Sequence, residues 1–299
     1  MQPLKNAFKF IGVAFSLALK HPRLQEPWFF LGLGSLVILF IWFLPIALVT
    51  GLVGLTPLGL TLLGFLSCLG LSSLFLWGEV VALRTARVFA SIGVDSDPAE
   101  NASNRFSPAH GWDLASLKLS LPLLQIGKAI RSRFKPTEAP AEDQKRWLEA
   151  PYLALPVMAV EDRDLSGTLS RIGQIVQDNL LRFQVNLVGI HPVGWGVQLL
   201  LTTGGLALGF WVGLKVADPL TDDPWQRILA AGISMLVAWV PTFLGTLFSS
   251  TIRVCYDTAL YQWVCNVEAA RQGAEPSLAQ PPAILGQVFS GSSKIKKER

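Results

Sequence analysis

One glutamate, Glu79, stands near the end of a long apolar run, in the stretch FLWGEVVALRTAR at residues 75–87. The positions three and four residues before and after it are apolar, so on a helix its partner must come from elsewhere in the chain. Counted from the outer ends of their apolar runs, Glu79 and Arg253 reach similar depths on two helices. We therefore predict a charge cluster of Glu79, Arg253 and Asp257. The alternative is that Glu79 reaches water among the lipid headgroups.

Other reactive side chains form no catalytic or metal-binding pattern. His21, His110 and His191 are far apart, and two of them precede a proline, which is typical of a helix start. The three cysteines have no CxxC spacing, and no serine stands in a GxSxG motif. We expect no catalytic residue, no metal and no cofactor.

Three acids, Glu161, Asp162 and Asp164, could serve a lipid-modifying enzyme at the membrane surface. Arg163 lies among them, and this mixture is more typical of the start of a helix, where the dipole favours negative charge. An enzyme that modifies lipids is therefore kept as an alternative, and the prediction is that the chain is not an enzyme.

A basic cluster ends the amphipathic stretch at residues 112–134. Its members are Lys128, Arg131, Arg133 and Lys135. Such a cluster can simply be solvated, but next to a membrane it favours contact with anionic lipid headgroups. The remaining basic residues are scattered without a recognition motif, so we expect no nucleic-acid partner.

The composition places these residues in a membrane protein. Hydrophobic residues make up 51% of the 299 residues and charged residues only 15%, whereas soluble domains have about 25% charged residues. Four apolar runs, at 28–50, 58–77, 191–216 and 228–252, reach the roughly 20 residues needed to cross the hydrocarbon core. The sequence predicts an all-α, polytopic helical membrane protein with about four transmembrane helices and additional amphipathic interfacial helices.

Two amphipathic helices are predicted outside the spans. In the first, at the N-terminus, the apolar residues recur at helical spacing beside a face with three lysines. This pattern predicts a helix that lies in the membrane interface, rather than a signal peptide that is cleaved. Its stripe is Leu4, Phe8, Ile11, Phe15 and Leu19. The second stripe steps by three or four residues and is expected to rest on the membrane or on the spans. It consists of Leu165, Leu169, Ile172, Val176, Leu180, Phe183 and Leu187.

These elements predict six segments. They are an interfacial helix at 1–27, a transmembrane hairpin at 28–83, a cytoplasmic loop with interfacial segments at 84–164, an amphipathic helix at 165–190, a second transmembrane hairpin at 191–252, and a cytoplasmic helix end with a basic tail at 253–299.

The distribution of lysine and arginine predicts the orientation. Residues 1–27 hold 4 of them, 84–190 hold 13, 215–227 hold 2 and the residues from 253 onward hold 6. By the positive-inside rule, the N-terminus, the central segment and the C-terminus are cytoplasmic. We expect a multi-pass protein of the bacterial inner, or plasma, membrane.

Two stretches resemble a known group of proteins. YLALPVMAVEDRDLSGTLSRIGQIVQDN is similar to an apolar, proline-containing stretch followed by an amphipathic helix, and TIRVCYDTALYQWV is similar to a closing helix. The group consists of uncharacterised bacterial polytopic proteins that resemble the membrane domain of glycerophosphodiester phosphodiesterases. The resemblance covers residues 150–270 and implies a multi-span helical protein with interfacial helices. Because the chain lacks a hydrolase domain, no enzymatic activity is carried over.

The function expected from these patterns is to scaffold, assemble or regulate a membrane partner, which is another membrane protein or a second copy of the chain. A small-solute transporter or channel subunit is the first alternative. It would need polar groups near the middle of the bilayer, and the central thirds of the four spans carry no charge.

Overall fold

The chain is helical throughout most of the part that the computed structural model describes, and no strand occurs there. The described residues are 2–49, 56–92, 110–120, 150–178, 190–216, 224–273, 275, 277, 280–282 and 284–286. The helices are α1 (Gln2–Lys20), α2 (Pro22–Leu48), α3 (Pro57–Ile92), α4 (110–120), α5 (Ala154–Glu161), α6 (Leu165–Gln177), α7 (Ile190–Val216) and α8 (Pro224–Arg271). A short 3₁₀ turn, Pro151–Leu153, precedes α5.

Four of the described helices are long and apolar enough to cross a membrane: α2, α3, α7 and the part of α8 from Ile228 onward. Their most apolar stretches have mean hydropathies between 1.6 and 2.4. The predicted all-α fold with four membrane-crossing helices is therefore confirmed. Two of these helices continue past the ends of their apolar runs, α3 to Ile92 and α8 to Arg271.

The chain divides into two compact units. Unit 1 contains Met1–Pro27, Glu79–His191 and Thr251–Arg299, and unit 2 contains Trp28–Gly78 and Pro192–Ser250. Unit 2 thus holds the apolar runs, while unit 1 holds most of the charged side chains.

In unit 2, aromatic rings pack against glycines of neighbouring helices. Trp77 of α3 lies against Gly34 of α2 and donates its indole hydrogen bond to the Phe30 carbonyl oxygen at 3.2 Å. Trp239 of α8 donates to the Ser35 hydroxyl oxygen, also at 3.2 Å. Since a side chain on Gly34 would occupy the space of the Trp77 ring, the small residue is what allows this approach.

The second hairpin of unit 2 is packed through glycines spaced four residues apart on α7. A Cβ atom at Gly205 would lie 2.8 Å from the Ala238 carbonyl oxygen, and one at Gly209 would lie 2.8 Å from the Ala238 Cβ and still closer to the Ser234 carbonyl oxygen. The two backbones therefore approach closely along this face. Many large apolar side chains of unit 2 face outward, as expected for contact with lipid.

Unit 1 has a hydrophobic core to which most of its helices contribute. The core includes Leu83 of α3, Leu114 of α4, Met158 of α5, Ile172 of α6 and Tyr261 of α8. Here the amphipathic stripe of α6 faces the core of unit 1, and Ile172 and Ile175 are fully buried. The stripe residues Leu180, Phe183 and Leu187 lie outside the described residues.

The apolar stretch before α6 is also a core element. Its two prolines, Pro151 and Pro156, lie where a helix tolerates them. Pro151 starts the 3₁₀ turn and Pro156 lies in the first turn of α5, where a backbone N–H has no intrahelical acceptor and its absence costs little. All residues from Ala154 to Ala159 are buried.

Candidate functional site

Glu79 is a buried carboxylate that is bonded by a lysine from another helix. It is 8% exposed, and Lys118 of α4 donates to its Oε2 atom at 2.6 Å. The next residue of α3, Val80, packs against Gly111 of α4. Lys118 thus supplies a cation from elsewhere in the fold, as the apolar neighbours of Glu79 on its own helix required.

Asp257 is the second buried carboxylate. Its Oδ1 atom lies 3.1 Å from Nε2 of His191, the second residue of α7. The charges of Arg253 and Lys118 both act on Asp257. Of the three residues of the predicted cluster, Glu79 and Asp257 are both buried, and the charge of Arg253 acts on Asp257.

Aromatic rings surround the histidine of this pair. The ring centre of His191 lies 6.3 Å from that of Tyr152 and 5.8 Å from that of Tyr256. Phe10 of α1 packs edge to face on Tyr256 at 5.4 Å. Burial of Tyr152, with the charge of Asp257 as a smaller cause, raises the pKa of its phenol to about 12.

Sequence reasoning missed Lys118 and His191 for different reasons. His191 was interpreted as part of a helix start, which is where it lies, but its side chain also contacts Asp257. Lys118 had a detectable signal, since it follows Gly111, Leu114 and Ala115 at the spacing of one helix face. A lysine on an otherwise apolar face indicates a buried acid opposite it.

A second cluster joins α5, α6 and α8 through Arg171. Its Nε donates to Glu161 Oε1 at 3.0 Å, and its two terminal nitrogens donate to both carboxylate oxygens of Glu268. The Tyr261 hydroxyl donates to Glu161, and Arg163 Nε lies 2.5 Å from Glu161 Oε2. The hydrogen bond to Glu268 is the main cause that raises the pKa of the Arg171 guanidinium above its ordinary value.

The two aspartates between α5 and α6 shape the connection between these helices. Asp162 ends α5 in the left-handed region, with φ of 50°, a conformation that aspartate tolerates better than most residues. Arg87 of α3 bonds its carboxylate at 2.5 Å, and His110 lies 3.9 Å away. Asp164 caps α6 by accepting from the Gly167 backbone N–H at 2.9 Å, as expected for an N-cap residue.

The three acids that could have served an enzyme thus all take part in structural contacts. Glu161 is held by Arg171, Arg163 and Tyr261, Asp162 by Arg87, and Asp164 by the backbone of α6. Within the described ranges, no group of three or more histidine, cysteine or acidic side chains could hold a metal ion. The predicted headgroup-contact residues Lys128, Arg131, Arg133 and Lys135 lie outside the described residues.

The fold defines the class of the protein, an all-α protein with four helices suited to cross a membrane. No family model, curated protein or solved structure matches this chain. The resemblance of residues 150–270 to the membrane domain of glycerophosphodiester phosphodiesterases therefore stays a prediction.

Proposed function

We propose that this chain is a multi-pass protein of the bacterial inner membrane that acts without catalysis, as a scaffold that assembles or regulates a membrane partner. The partner is another membrane protein or a second copy of the chain. The bilayer, including its anionic lipids, is the environment in which it works.

The observation that carries this proposal is that the three acids at 161–164 make structural contacts within the fold. A carboxylate that serves as a general acid or base must be free to take or give a proton near the substrate. Glu161, Asp162 and Asp164 instead bond to Arg171, Arg87 and the start of α6. These contacts connect the three helices α3, α5 and α6, and a rigid arrangement of helices is what a scaffold requires.

Unit 1 also supports the proposed topology. The charge counts put residues 1–27, 84–190 and 253–299 on the same side of the membrane. These segments fall within Met1–Pro27, Glu79–His191 and Thr251–Arg299, which form one compact unit. An even number of membrane crossings between successive segments is consistent with the charge counts and with the single compact unit.

Purification of the full chain from its native membranes in a mild detergent tests the scaffold function. We expect a protein partner, or a second copy, to remain at a fixed ratio through two successive affinity steps. A lone monomer would contradict the proposal.

The variant Asp164→Asn separates this proposal from the enzyme alternative. Asparagine caps helices about as well as aspartate, so the fold and the bound partner should be retained. If the carboxylate were catalytic, the variant would keep its partner and its stability but would change the lipid composition of the membrane relative to wild type.

A further inference from the structure

Helix α4 presents three different sectors around its axis. The first sector packs on the other helices of unit 1 and is buried. It is formed by Gly111, Leu114, Ala115 and Leu117, with Lys118 reaching Glu79 on the same side.

The second sector is apolar but exposed. Trp112 is 63% exposed and Leu119 is 60% exposed, and seven residues of separation place them only about 20° apart around the helix. The third sector is polar and contains Asp113, Ser116 and Ser120, none of which is buried.

Helix α1 repeats this order of sectors. Its buried sector is Ala7, Phe10, Ala14 and Ala18, and its exposed or half-buried apolar sector is Phe8, Ile11, Phe15 and Leu19. Its polar sector is Lys9, Ser16 and Lys20. By the period of 3.6 residues, the three sectors follow one another in the same rotational sense on both helices.

Helix α6 shows that this pattern is not common to every helix of unit 1. Its exposed side carries only Ser166, Ser170, Gln174 and Gln177, directly opposite the buried Ile172 and Ile175. It has the two sectors of a helix between a protein core and water.

The contacts of α4 indicate its depth. Gly111 and Lys118 contact Val80 and Glu79, which follow directly after the apolar run at 58–77 on α3. The end of a span lies at the boundary between acyl chains and headgroups, where tryptophan is enriched.

We propose that α4 lies in the membrane interface and inserts Trp112 and Leu119 among the lipid acyl chains of one leaflet, with Ser116 and Ser120 toward water. The occupant of the exposed apolar sector is therefore the phospholipid bilayer. Helix α1, which has the same three sectors, lies in the interface in the same way. This inference does not depend on the scaffold function, since it concerns only how the chain sits in lipid.

Nitroxide spin labels on single introduced cysteines test the proposal in the full chain. Trp112→Cys and Leu119→Cys report on the apolar sector, Ser116→Cys on the polar sector, and Ser170→Cys on the outer side of α6. All four are made in a Cys68→Ser background, which removes the exposed cysteine and keeps the buried Cys255 and the half-buried Cys265. The signal of the labelled background protein is subtracted. The protein is reconstituted in vesicles of phosphatidylcholine and phosphatidylglycerol.

We expect the labels at 112 and 119 to collide several-fold more often with oxygen, which concentrates in lipid, than with a water-soluble nickel chelate. The label at 170 should show the reverse order, and the label at 116 should lie between them. Equal chelate access at 112, 119 and 170 would overturn the proposal in favour of water, and low access to both reagents would overturn it in favour of a protein contact.

The unmodified chain provides a second readout that needs no substitution. Hydroxyl-radical oxidation of Trp112, measured by mass spectrometry in the same vesicles, should be low although the side chain is exposed in the fold. Strong oxidation at Trp112 would contradict the proposal even if a cysteine variant failed to fold.

Discussion

At the scale of single residues, a buried acid (Glu79) and a half-buried acid (Glu268) of unit 1 obtain their cations from helices that are distant in sequence. Lys118 bonds Glu79 across 39 positions of the chain, and Arg171 bonds Glu268 across 97. A buried carboxylate without such a partner strongly destabilises the folded protein. These pairs therefore tie the helices of unit 1 to one another.

The pair of Glu79 and Lys118 gives the first prediction. Lys118→Met removes the cation and leaves the Glu79 carboxylate buried without it. We expect a loss of about 1–3 kcal/mol, below the full value for a buried pair because the lysine side chain is partly exposed. The loss should appear as a lower thermal midpoint in detergent.

The double variant Lys118→Met with Glu79→Gln is the control for this prediction, because it also removes the buried charge. Its midpoint should lie closer to that of wild type than the midpoint of Lys118→Met alone. A double variant that is less stable than the single one would show that the pair does not account for the effect.

Tyr152 gives a prediction about pH. Burial raises the pKa of its phenol from 10.0 to about 12. Between these pH values the unfolded chain has lost the phenolic proton while the folded chain keeps it, so unfolding releases a proton and the free energy of unfolding falls as pH rises. As pH rises from 10 to about 12, Tyr152→Phe should lose less stability than wild type, as measured by thermal unfolding. Identical pH slopes would contradict the assignment.

At the scale of helices, the stripe of α6 decides whether this helix folds onto unit 1. Ile172 is fully buried and Ser170 is exposed. Ile172→Asp should cost about 3 kcal/mol or more, because the new charge is desolvated without a partner. Ser170→Asp should stay close to wild type. The amount of monodisperse protein in size-exclusion chromatography checks both, and equal losses would rule out the assigned face.

The hairpin of α7 and α8 depends on close backbone approach. Gly209→Ala places a methyl group against the Ser234 carbonyl oxygen and Ala238, and we expect a destabilisation of about 1–3 kcal/mol. Gly204→Ala on the same helix meets nothing within 4 Å and should be neutral or slightly stabilising, because alanine favours a helix more than glycine does. Equal thermal midpoints for the two variants would contradict the packing.

The helices themselves could be predicted from the sequence because their signals are local. The apolar runs gave α2, α3, α7 and α8, and Asp164 was recognised at the start of α6. The contact of Glu79 with Lys118 could not be found in the same way, because contact between α3 and α4 depends on how distant segments fold together. The effect of Pro156 likewise depends on where its helix begins, since proline is tolerated in the first turn.

The charge network of Arg171 also could not be predicted from local sequence patterns. In the sequence, Arg171 is simply a residue that lies off the apolar stripe of its helix. Its bonds to Glu161 and Glu268 follow from the packing of α5, α6 and α8 around one core. Sequence alone indicates that a charge needs a partner, whereas the fold decides which residue becomes that partner.

At the scale of the whole molecule, the proposed four-span topology requires that the three segments of unit 1 share one side of the membrane. Each pair of spans then forms a hairpin that leaves and returns on that side. An odd number of crossings between Glu79 and Thr251 would separate segments that belong to one compact unit.

Topology mapping with fused reporters tests this claim most directly. We predict that reporters fused at Glu142 and at Arg299 are cytoplasmic, and that reporters fused after Gly51 and after Asp222 are external. An external reporter at Glu142, with a cytoplasmic one at Arg299, would contradict the four-span account.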